Sequence, residues 1–134
     1  RMSGISKTKV PRKRQSNEES KLQQACVRWF RMQYSCYNYL LFAIPNGGKR
    51  GVVTASILKS EGTLAGVADL FLAVPKVTYN EDTTKHGLFI EMKTLKGTQS
   101  ESQKEFQKKV ELVGYQYTIC RSVEEFIKTI NDYL

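Results

Sequence analysis

Apolar positions along the chain switch between helical spacing and short continuous runs, and the switches mark out the elements. Ser16-Asn17-Glu18-Glu19 has the S-x-x-E spacing of a capping box. Leu22, Cys26, Trp29 and Gln33 follow at helical intervals, so a helix is expected from Ser16 to about Tyr34. Residues 38–44 form an apolar run that predicts a strand, and Pro45-Asn46-Gly47-Gly48-Lys49-Arg50-Gly51 predicts a loop. A short helix over 53–61 closes at Gly62, and a second strand runs from Asp69 to Val74. Residues 75–86 are polar and predict a long hairpin connection to a third strand, Gly87 to Lys93. Ser100-Glu101-Ser102-Gln103 opens a helix with Phe106, Val110 and Val113 on one stripe, ended by Gly114. Tyr115 to Cys120 predicts a fourth strand, and Ser122-Val123-Glu124-Glu125 caps a last helix.

The predicted order is αβαββαβα. The second and third strands should pair antiparallel, as a hairpin. The third and fourth, joined by a helix, should be parallel with a right-handed crossover. Leu70-Phe71-Leu72-Ala73-Val74 is apolar throughout, as expected of a strand covered on both faces.

The length of 134 residues suits one domain with one core. Apolar residues at 40% and charged residues at 25% exclude a disordered chain, a collagen or a coiled coil. The longest apolar runs, such as Tyr39 to Ile44, are far short of a membrane span. Three cysteines without a C-x-x-C pair, and no opening signal peptide, lead to the expectation of reduced thiols in a cytoplasmic protein. A single histidine, His86, excludes any mechanism needing two.

The net charge of +8 is uneven. Residues 1–14 carry six of the 21 basic side chains and no acid, which leaves 15 basic against 13 acidic in the remainder. The expected division is a flexible basic arm over 1–15 and one globular domain over 16–134. Such an arm suits nucleic-acid phosphate, and it equally describes a solvated tail.

Polar residues inside apolar strands carry the candidate chemistry. Asp69 opens the second strand; Glu91 and Lys93 close the third. Antiparallel pairing puts the start of one strand beside the end of the other, and residues two apart share a face. Asp69 joins Glu91 and Lys93 only if it pairs opposite one of them, since a one-residue slip turns it away. In the converged register, two carboxylates and a lysine make a hard-oxygen site. Mg²⁺ takes one or two carboxylates and completes its shell with water and phosphate, a combination suited to phosphodiester hydrolysis. Lys93 can hold the attacking water or the phosphate charge. The competing reading is a plain Glu91–Lys93 ion pair at a solvated strand end. Gln103 lies on the inner stripe of its helix, and is also the capping partner of Ser100. Glu19 and Gln23, four apart, flank the apolar stripe of the first helix, and Glu19 is also the capping partner of Ser16.

Six stretches then align in order. They are Glu19-x-x-x-Gln23, Ile44 to Arg50, Gly66 to Leu72, Leu88 to Lys93, Lys96-Gly97-x-x-Ser100-x-x-Gln103, and Gly114-Tyr115. Together they resemble the VRR-NUC domains, a branch of the PD-(D/E)XK nuclease superfamily. The resemblance covers about residues 19–134. It implies a restriction-endonuclease-like α/β fold, an αβββαβ core with a mixed four-stranded sheet flanked by helices. It implies Asp69, Glu91 and the Met92 carbonyl as ligands of Mg²⁺, with Mn²⁺ able to substitute. It implies Lys93 as the catalytic lysine, Glu19 as a further acidic site residue and Gln103 as a supporting one. Lys49, Arg50 and Lys96, with Arg12, Lys13 and Arg14 of the arm, are the expected DNA contacts. The usual proline before the aspartate is Ala68 here, which leaves the ligands intact. Stand-alone members resemble Holliday-junction resolvases of phages and bacteria and dimerise, while larger members act on flaps.

The expected function is therefore a Mg²⁺-dependent, structure-selective DNA endonuclease, dimeric, without a membrane partner. Tyr34, Tyr37 and Tyr39 offer either a dimer interface or core packing. The competing classes are a non-catalytic nucleic-acid-binding module of the same fold, and a restriction-type enzyme using the 75–86 connection to read bases.

Overall fold

The computed structural model describes residues 13–45, 52–79 and 84–134. The chain forms α1 (Lys13–Gln33), β1 (Leu41–Ala43), α2 (Val52–Ser60), β2 (Leu70–Leu72), β3 (Leu88–Met92), α3 (Glu101–Leu112), β4 (Gln116–Cys120) and α4 (Val123–Tyr133). The sheet order is β1-β2-β3-β4. The pairs β1–β2 and β2–β3 are antiparallel, and β3–β4 is parallel. This is the expected mixed four-stranded sheet with the expected element order.

The side-chain alternation of the strands sorts the sheet into two unlike faces. Leu70, Leu72, Leu88, Ile90, Met92 and Cys120 are buried on one face, under Cys26 and Phe30 of α1 and Phe126, Ile130 and Tyr133 of α4. Trp29 packs edge-on against Phe126, and Phe30 stacks on Tyr34. The other face is an aromatic row beneath α3. Phe71 and Phe89 lie 4.5 Å apart, and Phe106 of α3 meets Phe89 edge-on at 5.1 Å. Glu91 belongs to this second face, and it is the buried charged residue among the described ones.

Three expectations change. The helix begins at Lys13, not at Ser16, so Ser16 lies within the helix and does not cap it. Lys13, Arg14 and Gln15 are good helix formers, and nothing in them opposes the earlier start. The first strand begins at Leu41, not at residue 38, because a 3₁₀ turn at Ser35–Tyr37 and the Leu40 N–H bond to Tyr37 O fold the chain tightly after α1. The second strand is three residues long, yet its ladder continues at both ends. Ile44 N–H donates to Asp69 O, and Ala73 N–H donates to Leu40 O. Of the three tyrosines, Tyr34 and Tyr37 pack against the core, and Tyr34 donates to Asn131 Oδ1 at 2.7 Å. Tyr39 is 98% exposed. The loop residues Lys49 and Arg50, and Arg12 of the arm, lie outside the described residues, as do the side chains of Lys13 and Arg14.

Cys26, Cys36 and Cys120 are free thiols. Burial, and then Cys120 beside it, pushes the Cys26 thiol up to about 12. The long connection is zipped at its base by paired backbone bonds between Lys76 and Lys85, and Lys76 Nζ also donates to Asp132 O of α4. No helix among the described residues is long and apolar enough to cross a membrane.

Two glycines set how the chain approaches the site. Both have positive φ, Gly62 at +105° and Gly66 at +88°. Around Gly62 there is open space, but a Cβ on Gly66 would stand 2.5 Å from the Ser102 backbone. Gly66 therefore lets the segment leading into β2 lie directly on the first turn of α3. Gly62→Ala should cost about 1–2 kcal/mol from backbone strain alone. Gly66→Ala should cost about 2–4 kcal/mol, since overpacking adds to the strain. Urea unfolding of the two variants checks the difference, and equal losses would show that the Gly66–Ser102 contact is unimportant.

Candidate active site

The register Leu70↔Ile90, continued by one residue, sets Asp69 opposite Glu91 at the end of the sheet. Asp69 is fixed there by its own carboxylate, whose Oδ2 accepts the Met92 N–H at 2.7 Å. Glu91 is 2% exposed. Its Oε1 accepts from Gln103 Nε2 at 2.9 Å and lies 3.9 Å from Lys93 Nζ. Its Oε2 accepts from the Tyr117 hydroxyl at 3.5 Å.

Gln103 holds both roles open to it. Its side-chain carbonyl accepts the Ser100 N–H at 2.8 Å, and its backbone N–H donates to Ser100 Oγ at 3.2 Å, completing a capping box. With the carbonyl committed to the cap, the amide NH₂ faces Glu91. The start of α3 and the orientation of the carboxylate are thus one hydrogen-bonded unit.

Glu19 approaches from the opposite side, on the second full turn of α1. The start of the helix at Lys13 removes the capping role for it. It is half-buried instead, within electrostatic reach of Lys93 and Asp69, with the Thr94 backbone N–H bonded to it. Burial raises its carboxyl above the ordinary 4.5, against the pull of Lys93. The loop carrying Thr94 is clamped by Arg121, whose Nη1 donates to Thr94 O at 2.7 Å and Gly97 O at 2.6 Å. Glu91 is pushed further, to about 8, by burial first and by the neighbouring Asp69 second, while Lys93 opposes both.

Three carboxyl groups crowd one ammonium, and a cation would offset the burial and mutual repulsion that hold Glu91 and Glu19 above their ordinary values. Among the described residues no three His, Cys, Asp or Glu side chains close into a complete metal cage. Two carboxylates, with room for water and phosphate oxygens, are the donor set that suits Mg²⁺ rather than a caged metal. Asp69 also lines a cleft of about 420 Å³ with Glu19, Gln23, Gln24, Arg28, Arg31 and Met92, so Asp69 faces open space on the α1 side while Glu91 is buried behind it.

The family model of the VRR-NUC domain matches residues 7–124. The chain belongs to the VRR-NUC family. A solved VRR-NUC domain protein shares the fold, with a TM-score of 0.72 at 20% identity over 99% of this chain and 91% of that one. Comparison with curated proteins finds no match. The VRR-NUC domain is a nuclease fold of the PD-(D/E)XK superfamily.

Within this VRR-NUC chain, Asp69, Glu91, Lys93, Gln103 and Glu19 converge as the sequence led one to expect, with the Met92 backbone between them. Lys96 is exposed in the turn just after the site. Tyr117 went unrecognised. Its signal was parity, since the parallel register Phe89↔Tyr117 and Glu91↔Ile119 puts it on the Glu91 face. Gln99, which donates to the Tyr117 hydroxyl at 3.2 Å, and the arginines of the α1 cleft had no pattern to mark them.

The raised Glu91 carboxyl has a consequence for stability. Between about 4.5 and about 8 the folded VRR-NUC domain keeps a proton that the unfolded chain releases. Stability therefore falls as pH rises through that window. With chelator present, the melting temperature should drop between pH 5 and pH 8. Glu91→Gln, which cannot ionise, should flatten the drop. An equally steep drop in Glu91→Gln would place the titrating group elsewhere.

Proposed function

We propose that this chain is a Mg²⁺-dependent endonuclease that hydrolyses phosphodiester bonds of branched DNA, such as Holliday junctions or flaps. The observation that carries the proposal is the convergence of Asp69, Glu91 and Lys93 at one sheet end inside a nuclease fold. Asp69 and Glu91, with the Met92 carbonyl, would hold Mg²⁺, and Mn²⁺ would substitute for it. When bound, the ion supplies positive charge against the phosphoryl oxygens and acidity to a water. Gln103 keeps the Glu91 carboxylate aimed while that charge develops. Lys93, 12% exposed in its side chain, can donate to the attacking water or to a phosphate oxygen without swinging far. Glu19 adds negative charge on the α1 side. Lys49, Arg50 and Lys96, with Arg12 and the first two residues of α1, Lys13 and Arg14, would hold flanking phosphates.

A site of this kind cuts one strand at a time. Resolving a four-way junction takes two symmetric cuts, which a two-fold dimer supplies by repeating the site. The working form is therefore a homodimer acting inside a bacterial or phage-infected cell.

Asp69→Ala, Glu91→Ala and Lys93→Ala should each lower cleavage at least a hundredfold, on the order of several kcal/mol of lost transition-state stabilisation, with DNA binding retained. A panel of junction, flap, nicked and linear DNAs with Mg²⁺ or Mn²⁺ reads out both activity and preference. Mg²⁺ should also raise the melting temperature of the unaltered protein and leave the Asp69→Ala/Glu91→Ala variant unmoved. Undiminished cutting by Glu91→Ala would sink the assignment.

Light scattering at micromolar concentration, with and without a four-way junction, should show a dimer. A monomer in both conditions that still cuts flaps would overturn the junction-resolving role.

A further inference from the structure

The cleft beside Asp69 is long, and most of its floor is one face of α1. Glu19, Gln23, Val27 and Arg31 follow one another four residues apart, and Ser20, Gln24 and Arg28 form the adjacent row. At about 1.5 Å rise per residue, the floor from Glu19 to Arg31 spans about 18 Å. Its two ends differ in charge. Glu19 stands at the carboxylate end, beside Asp69 and Lys93. Arg28 and Arg31 stand at the far end, and both are exposed.

These arginines differ from most exposed lysines of the other long helices, Lys108 of α3 being an exception without an ion pair among the described residues. On α3, Lys104 pairs with Glu101 and Lys109 with Glu105; on α4, Lys128 pairs with Asp132. No carboxylate of α1 lies three or four residues from Arg28 or Arg31, and neither has an ion pair among the described residues. Two guanidiniums one turn apart repel each other, and their charge is left for an anion from outside. The guanidinium fork fits phosphate oxygens in two-point contact, and a DNA strand advances about 3.4 Å of axis per phosphate, so a floor of this length accommodates several nucleotides. Amides and a hydroxyl line the stretch between, with Gln24 Nε2 donating to Ser20 Oγ.

We infer that the α1 groove seats the backbone of one DNA strand, with Arg28 and Arg31 holding phosphates that flank the bond presented to Asp69 and Glu91. The inference rests on the nuclease reading for the identity of the strand and adds where that strand runs. α1 is then both a structural helix and a track. Its buried face, with Cys26 and Phe30, holds it to the sheet, and the rows beside that face carry the substrate.

The test is DNA binding by fluorescence anisotropy, in chelator, across a range of salt concentrations, with the full chain. Arg28→Gln/Arg31→Gln should bind at least about tenfold more weakly than the unaltered protein. Its plot of log affinity against log salt should be flatter by about 1.8 on duplex, or by about 1.4 on a single strand, for two phosphates lost. Lys108→Gln/Lys109→Gln, an equal change of charge on α3, should bind as the unaltered protein does. Melting temperatures of both variants establish that they are folded. Unchanged affinity and slope in the arginine variant overturn the groove, as does an equal loss in the lysine variant. If the unaltered protein cuts DNA and the arginine variant binds normally, only the groove fails. If binding depends on the arginines but no DNA is cut with Mg²⁺, the nuclease reading fails and the groove stands. Absence of DNA binding by the unaltered protein overturns both.

Discussion

A slip of one residue between β2 and β3 would turn Asp69 to the opposite face of the sheet, and the site would not exist. The register that prevents it, Leu70↔Ile90, is set by burial. Leu70, Leu72, Leu88 and Ile90 must all face α1 and α4, while Phe71 and Phe89 stack on the other face. Shifting either strand by one would expose leucines and force phenylalanines into the wrong layer. The hydrophobic pattern of two short strands thus decides where two carboxylates stand. The Asp69 carboxylate then adds a local lock by accepting the Met92 N–H.

The same economy governs the other side of the site. A buried glutamate is unfavourable unless its oxygens find donors. Gln103 comes from α3, Lys93 from the residue just after β3 and Tyr117 from β4, so Glu91 is satisfied only when those elements are assembled. Gln103 ties the cap of α3 to the carboxylate, and Gly66 lets the approach to β2 lie against that same first turn. The geometry of the site and the docking of α3 are therefore one problem with one solution.

Charge is distributed to match. The site concentrates carboxyl groups around a single ammonium, and burial together with mutual repulsion raises Glu91 and Glu19. Along α1 the balance reverses, from Glu19 at one end of the cleft to Arg28 and Arg31 at the other. A cation at the carboxylates and an anionic chain along the arginines would neutralise both ends. On α3 and α4 the ion pairs Lys104–Glu101, Lys109–Glu105 and Lys128–Asp132 offset exposed charge within the helix, whereas Arg28 and Arg31 of α1 have no ion pair among the described residues.

Local signals were legible without the fold. The Ser100 and Ser122 caps, the glycine stops at Gly62 and Gly114, the order of elements and the Asp69–Glu91–Lys93 set follow from short-range chemistry and strand alternation. The capping box at Ser16 misled, because cap residues are also tolerated inside a helix when good helix formers precede them. The beginning of β1 misled too, since an apolar run does not reveal that a 3₁₀ turn consumes its first residues. Tyr117, Gln99, Arg28 and Arg31 were beyond reach for a different reason. Their significance lies in what they face across the sheet or the cleft, and such neighbours come from parallel pairing, helix docking and the rotation of α1 about its axis. Strand alternation alone was enough to mark Asp69, Glu91 and Lys93 as polar residues at the ends of two apolar strands. Which side of α1 opens beside Asp69 became visible only in the assembled fold, because the rotation of α1 is set by how Cys26 and Phe30 pack into a core built from distant parts of the chain.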